Sequence, residues 1–117
     1  MSNYRKLVVW HKGMELVKKI YDLTKLLPAE EKYALSDQLR RAAVSIPSNI
    51  AEGEGRGSTK EFSRFLFIAK GSTNEVVTQL LICSKIGYIE ESKMEEALAL
   101  CEEVGKMLAA LIKKVSG

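Results

Sequence analysis

Three of the four pairs of adjacent glutamates are the residues of this chain best suited to chemistry, because carboxylates can hold metal ions or transfer protons. The pairs occupy positions 90–91, 95–96 and 102–103. Helical bundles that bind two metal ions combine inward-facing glutamates with Glu-x-x-His motifs. This chain has one histidine, His11, and no such motif, and the pairs lie beside the apolar rows rather than on them. The pattern therefore favours a solvent-exposed surface, and a metal-dependent hydrolase is the least favoured of three functional hypotheses.

The glycine run from Gly53 to Gly57 and the isolated His11 are the other candidates for catalysis. A phosphate-binding loop ends in Gly-Lys-Ser/Thr and follows a strand, and this run has neither feature. A catalytic triad needs three groups in mutual contact, and no nucleophile or acid stands at a suggestive spacing from His11. We predict that the protein is not an enzyme and has no metal, cofactor or small-molecule substrate.

Apolar residues recur at helical spacing in four segments, and no segment alternates apolar and polar residues as a strand does. The predicted helices cover Val9–Leu27 and residues 36–53, 58–87 and 92–115. Short connections between successive helices favour an all-α, antiparallel up-down-up-down four-helix bundle. The length is that of one domain, covering residues 1–117.

Polar residues at the predicted helix starts support these boundaries. Ser36 is expected to cap helix two, and Ser58 and Ser92 each open a Ser-x-x-Glu capping box, for helices three and four. Pro28 should end helix one, because the residue before a proline disfavours the helix. Trp10 falls on the apolar stripe of helix one, so we predict that it is substantially buried.

The composition places few limits on function but several on location. The 117 residues carry a net charge of +3, with a mild basic excess in the first half. No apolar run approaches 18 residues, so we expect no membrane helix, and the N-terminus does not look like a secretory signal. The two cysteines, Cys83 and Cys101, fall on apolar rows, which predicts buried thiols without a disulfide. We expect a cytoplasmic protein.

Helix three carries more apolar surface than one core-facing row requires. Phe65 and Ala69 share the core row, whereas Phe67 and Ile68 point elsewhere. Two readings stay open. The pair marks a surface for a partner subunit, or it packs on the neighbouring helix of the same bundle.

Polar residues also form a stripe along helix two, at the spacing of successive helical turns. Its members are Arg41, Ser45, Asn49, Glu52 and Arg56, and Arg64, Gly71, Ser72 and Glu75 recur in the same way on helix three. The stripe is either a solvated face with local ion pairs such as Glu52–Arg56, or a polar network at a subunit boundary with Glu75 paired to an arginine of helix two.

A proline inside a predicted helix, Pro47, marks the most distinctive segment, because an internal proline costs roughly 3 kcal/mol. Residues 36–53 read SDQLRRAAVSIPSNIAEG, and residues 61–72 read EFSRFLFIAKGS, followed by Glu75. Together with Val9 and Trp10, these segments resemble the four-helix bundle proteins also called 23S rRNA intervening-sequence proteins. The resemblance extends over nearly the whole chain.

The resemblance implies an antiparallel four-helix bundle that assembles into a ring-like homopentamer, encoded in inserts of bacterial 23S rRNA genes and elsewhere. It also implies that no enzymatic activity is established. The favoured function is therefore a non-enzymatic oligomeric bundle whose molecular role is unestablished. The interface or signature candidates are Pro47, Asn49, Glu52, Gly53, Phe67, Gly71, Ser72 and Glu75.

The alternative is a nucleic-acid-binding accessory protein. The accessory variability proteins of diversity-generating retroelements look similar; they partner a reverse transcriptase and bind nucleic acid, although they tend to be more basic. Binding of RNA or DNA by this chain is expected to be weak and sequence-tolerant. The candidates are Arg40, Arg41, Arg56, Lys60 and Arg64. The opposing reading is that these side chains only pair with Glu52, Glu54, Glu61 and Glu75.

Overall fold

The computed structural model describes residues 3–116 and consists, over that range, of four α-helices and no β-strand. The helices are α1 (Val8–Thr24), α2 (Leu35–Gly55), α3 (Thr59–Lys85) and α4 (Glu95–Ser116). Short 3₁₀ helices cover Tyr4–Lys6, Ala29–Glu31 and Glu91–Lys93. The predicted all-α fold with four helices is confirmed.

The core is a single apolar cluster to which all four helices contribute. α1 packs on α2 and α4, α2 packs on α3, and α3 packs on α4. The largest fully buried side chains include Leu16, Ile20, Leu39, Ile46, Ile50, Leu66, Leu80, Met94 and Leu108. Cys83 and Cys101 are buried free thiols, as predicted. Trp10 is mostly buried, as predicted, although it packs at the edge of the core and lines an open groove.

The start of α2 differs from the prediction. The helix begins at Leu35 with Ala34 as its N-cap and no capping side chain, whereas Ser36 is buried inside the first turn. The end of α1 also differs, since the helix stops at Thr24 rather than Leu27. From Lys25 to Leu27 each backbone amide donates to the carbonyl three residues back instead of four, and Pro28 then has an extended backbone. This ending agrees with the bias against helix before a proline.

Pro47 lies inside α2, as predicted, and it is buried. Its ring faces Gly13 of α1, where an added Cβ would stand 3.5 Å from Pro47 and 3.4 Å from Ile46. Pro47 has no backbone N–H to donate within α2. At the same position α1 and α2 pack closely against each other.

Of the two predicted capping boxes, only the serine half of the first is found in the described residues, and the Glu61 carboxylate there pairs with Arg64 instead of the Ser58 amide. Ser58 is the N-cap of α3, and its hydroxyl accepts a hydrogen bond from the Glu61 amide at 3.1 Å. The Ser92 prediction is wrong. Ser92 lies in a short 3₁₀ helix, and α4 begins at Glu95 after the fully buried Met94.

Candidate functional site

Three of the predicted polar residues form a hydrogen-bonded seam between α2 and α3. The Ser45 and Ser72 hydroxyls lie 2.8 Å apart, and the Asn49 amide donates to the Ser45 carbonyl and hydroxyl at 2.7 and 2.8 Å. Ser72 is only 5% exposed. This part of the stripe is therefore a contact inside one chain, where a paired polar group favours one relative register of the two helices.

Gly53 lies at a close approach of α2 and α3. A Cβ at this position would stand 2.5 Å from the Phe65 Cβ and 3.3 Å from Phe62. Real Cβ atoms do not approach so closely, so only glycine fits without moving the helices. Of the signature candidates, Gly53 and Ser72 thus have roles in α2–α3 packing.

A cluster of charges surrounds the turn between α2 and α3, and we call it the turn cluster: Arg56, Glu61, Arg64 and the ring of Phe65. The Arg64 guanidinium donates to Glu61 at 3.0 Å, and Arg56 reaches the same carboxylate at 3.9 Å. Both guanidiniums lie over the Phe65 ring: that of Arg56 is 4.9 Å from the ring centroid and that of Arg64 is 4.5 Å from it. The hydrogen bond from Arg64 lowers the pKa of Glu61 below its ordinary value. Arg56 also pairs with Glu52 at 2.8 Å.

The five nucleic-acid candidates do not form one surface. Arg40 donates to the Thr24 hydroxyl at 3.0 Å and lies over the Tyr21 ring, so it faces α1. Arg41 is exposed and pairs with Asp37 at 2.9 Å. Arg41 and Arg56 are separated by about 22 Å along α2, at about 1.5 Å per residue. Arg41 and Arg56, which the sequence analysis placed in one group, are therefore kept apart by α2.

Seven basic residues collect at one end of the bundle, and the sequence analysis named only three of them, Arg56, Lys60 and Arg64. The N-terminal segment meets the end of α2, since the Asn3 amide donates to Glu54 at 2.9 Å. The end of α4 meets the start of α3, since the Ser63 and Ser116 hydroxyls lie 2.8 Å apart. We call residues 3–8, 54–64 and 112–116 the basic end. These ranges hold seven cationic residues and two glutamates, and Glu52 just outside them also pairs with Arg56. The cationic residues are Arg5, Lys6, Arg56, Lys60, Arg64, Lys113 and Lys114, and the glutamates are Glu54 and Glu61.

Apolar side chains on the outer side of α3 are exposed, and we call them the α3 ridge: Phe67, Ile68 and Ile82, with Glu75 between them in the sequence. Phe67 is 58% exposed, and Ile68 and Ile82 are also exposed. Phe67 therefore does not pack on a neighbouring helix of its own bundle. Glu75 is exposed and has no ion-pair partner within residues 3–116, so the expected pairing with an α2 arginine does not occur within one chain. An added Cβ at Gly71 would meet nothing within 4 Å.

A second apolar surface, missed from the sequence, is the α1–α2 groove. Trp10, Met14 and Val17 of α1 and Val44 and Pro47 of α2 line it, with Ser48 and Ala51. Arg40, Arg41 and Asp37 line its continuation toward the N-terminus of α2. The signal in the sequence is the width of the α1 stripe, which is broader than the core can cover.

The residues considered for catalysis are not brought together. The His11 ring nitrogen Nε2 lies 2.6 Å from the Arg5 carbonyl oxygen, and Glu96 pairs with Lys19 at 2.9 Å. In the described range no three histidine, cysteine, aspartate or glutamate side chains are placed to hold a metal ion. None of the helices there is long and apolar enough to cross a membrane.

Comparison with known proteins gives a family and a fold. A family model described as 23S rRNA-intervening sequence protein matches residues 5–110. A solved structure from Bacteroides thetaiotaomicron, described as a protein with unknown function from the S23 ribosomal protein family, is 33% identical. The match covers 91% of this chain and 99% of that chain, with a TM-score of 0.83. No curated protein matches the chain.

Proposed function

This chain belongs to the 23S rRNA-intervening sequence protein family, and from that membership we propose that it is a non-enzymatic bundle that functions by self-assembly into a homopentameric ring. The family relative of known structure is itself described as having unknown function. The activity to be explained is therefore association rather than catalysis.

The arrangement that we propose for each subunit is the antiparallel up-down-up-down bundle. The contacts at the basic end support it, because they bring the start of α1 beside the end of α2 and the start of α3 beside the end of α4. The pairs Gly53–Phe65 and Ser45–Ser72 support it too, because residue numbers fall along α2 as they rise along α3.

The observation that carries the proposal is the presence of two separate exposed apolar surfaces, the α3 ridge and the α1–α2 groove. A closed ring of more than two subunits uses a heterologous contact, in which two different surfaces of each subunit meet. A monomer of this size gains nothing from exposing both surfaces, and contiguous exposed apolar patches usually mark interaction sites.

The test is the mass in solution. Light scattering coupled to size exclusion should give about five times the 13.0 kDa chain mass. Phe67→Asp should lower the mass, because an interface that buries a carboxylate without a partner is destabilised. A wild-type chain that stays monomeric at every concentration would refute the proposal.

We propose a cytoplasmic location. Its support is the pair of free buried thiols, Cys83 and Cys101, since thiols stay reduced in that compartment.

A second candidate function, weak binding of nucleic acid, is favoured by the charge of the basic end. It keeps Arg56, Lys60 and Arg64 from the sequence analysis and replaces Arg40 and Arg41 by Lys113 and Lys114. Arg56 and Arg64 share Glu61, so the lysines are the better phosphate ligands. In a ring whose subunits point the same way, five basic ends would share one face, and avidity would raise a weak affinity.

The binding test compares two double charge reversals that change the net charge equally. Lys60→Glu with Lys113→Glu should abolish retention of single-stranded RNA at low salt, whereas Lys85→Glu with Lys93→Glu, near the other end of the bundle, should not. Affinity should fall steeply with salt, because each phosphate contact releases counterions. Equal loss in the two variants would argue for a non-specific charge effect and against this site.

A further inference from the structure

The α3 ridge and the α1–α2 groove match each other in register and charge. We propose that the ridge of one copy binds in the groove of the next, with Phe67 in the apolar part of the groove and Glu75 beside Arg41. This inference rests on the proposed self-assembly and goes further, because it names the two surfaces and the one contact that repeats around the ring.

The register follows from contacts inside a single chain. Ser45 lies opposite Ser72 and Gly53 lies opposite Phe65, so Phe67 is level with Ala51 of its own α2. By the same alignment Glu75 lies within one to two residues of the level of Arg41. Over this span, Phe67 and Glu75 are separated by about 12 Å along α3, from a rise of about 1.5 Å per residue.

These levels are what a closed ring requires. When two copies stand side by side with their long axes parallel and no shift along the axis, the ridge of one faces the groove of the other at the same heights. Phe67 then meets the hollow lined by Trp10, Met14 and Ala51, and Glu75 meets Arg41. A heterologous contact with an axial shift would build a helical filament instead of a ring.

Charge identifies the occupant as a second copy. Arg40, Arg41 and Asp37 at the end of the groove carry a net positive charge, and Arg41 has one local acidic partner, Asp37. The ridge of the next copy can supply a second carboxylate to this end of the groove, since Glu75 has no ion-pair partner in the described part of its own chain. Complementary charges of this kind fix the register of an interface.

A symmetric contact between two ridges fits less well. It would bring two Glu75 carboxylates toward each other, and like charges across an interface are unfavourable. It would also leave the groove, with Met14 and Val44 exposed, uncovered in both copies.

The decisive experiment mixes two variants that are each defective on one surface. Phe67→Asp damages the ridge and leaves the groove intact, and Val44→Asp damages the groove and leaves the ridge intact. Each variant alone should be monomeric. An equimolar mixture should form a one-to-one dimer of about 26 kDa, twice the 13.0 kDa chain mass, because one good ridge and one good groove remain and the assembly cannot extend.

The outcomes separate this inference from the proposed function. If the wild-type chain is oligomeric and the mixture stays monomeric, the ridge–groove contact is wrong although self-assembly stands. If either variant alone keeps the wild-type mass, the surface that it damages is not in the interface, and the inference fails. If the wild-type chain is a monomer, the proposed function fails first.

A charge exchange tests the register. Glu75→Arg and Arg41→Glu should each raise the dissociation constant at least about tenfold, and the double variant should recover most of the loss. Recovery would place Glu75 beside Arg41, and its absence would overturn that placement. Leu81→Asp is the matched control, because Leu81 is 45% exposed on α3 but lines the groove between α3 and α4. It should leave the mass unchanged, and dissociation of this variant would move the interface to that groove.

Discussion

Replacing Gly53 with alanine should destabilise the bundle, although alanine is the better helix former. The new Cβ would stand 2.5 Å from the Phe65 Cβ and 3.3 Å from the Phe65 ring. Because the Phe65 Cβ is fixed to the α3 backbone, no rotamer change can relieve the overlap. The helices would have to separate by about 1 Å, and a gap of that size forfeits a quarter to a half of the dispersion energy of the atoms lining it.

The expected magnitude is the difference between two opposing effects. Overpacking of a tight interior typically costs about 1–3 kcal/mol, and the gain in helix propensity from glycine to alanine returns at most about 1 kcal/mol. We expect Gly53→Ala to lower the free energy of unfolding by about 1–2 kcal/mol.

The matched control is Gly105→Ala in the interior of α4, where the added Cβ meets nothing within 4 Å. Here only the propensity gain remains, so the free energy of unfolding should rise by up to about 1 kcal/mol.

Urea unfolding followed by circular dichroism at 222 nm measures both changes. The chain concentration must be equal in all samples, because assembly stabilises the folded chain by mass action. Repeating the pair of measurements in a Phe67→Asp background separates folding from assembly. If Gly53→Ala is as stable as the wild-type chain while Gly105→Ala is stabilised, the close approach of α2 and α3 does not depend on Gly53 and the reasoning fails.

The remaining predictions concern a helix cap and the thiols. Ser58→Ala should lower the free energy of unfolding by about 1 kcal/mol because its hydroxyl caps α3, whereas Ser92→Ala should change it little; equal losses in urea unfolding would contradict this assignment. Cys83 and Cys101 should not react with a thiol reagent in the native protein at pH 8 and should both react in denaturant, so rapid native labelling would contradict their burial. Burial raises the pKa of Cys101 to about 12 from 9.0. Its contribution to stability is therefore complete below pH 9 and is lost as the pH rises toward 12, which unfolding measured across that range checks.

The capping serines show where local sequence rules hold and where packing overrides them. At Ser58 the capping chemistry and the apolar row of α3 agree, and the predicted cap is present. At Ser92 they conflict, because Met94 must enter the core and is fully buried. Burying a methionine is worth about 1.5–3 kcal/mol, against about 1 kcal/mol for a cap. The chain forms a 3₁₀ turn there, and α4 starts after Met94.

The sequence predicted contacts of the candidate site within one helix but not contacts between helices, as two of its arginines show. The local pair Glu52–Arg56 follows from helical spacing and was predicted. The contact of Arg40 with Thr24 was not predicted, because it joins two helices and depends on how α2 is rotated against α1. Only part of the basic end was predicted, for the same reason, since its residues come from three segments far apart in the sequence.

The sequence by itself determined the number of helices, the faces that they bury and the position of Pro47 inside α2. These features depend on apolar spacing and residue type, which act over a few residues. Tertiary structure alone decided that Ser45 meets Ser72, that Gly53 meets Phe65, and that the α3 ridge and the α1–α2 groove stay uncovered in a single chain. Such contacts join distant residues, and the joint packing of all core side chains sets the rotation and separation of the helices that produce them.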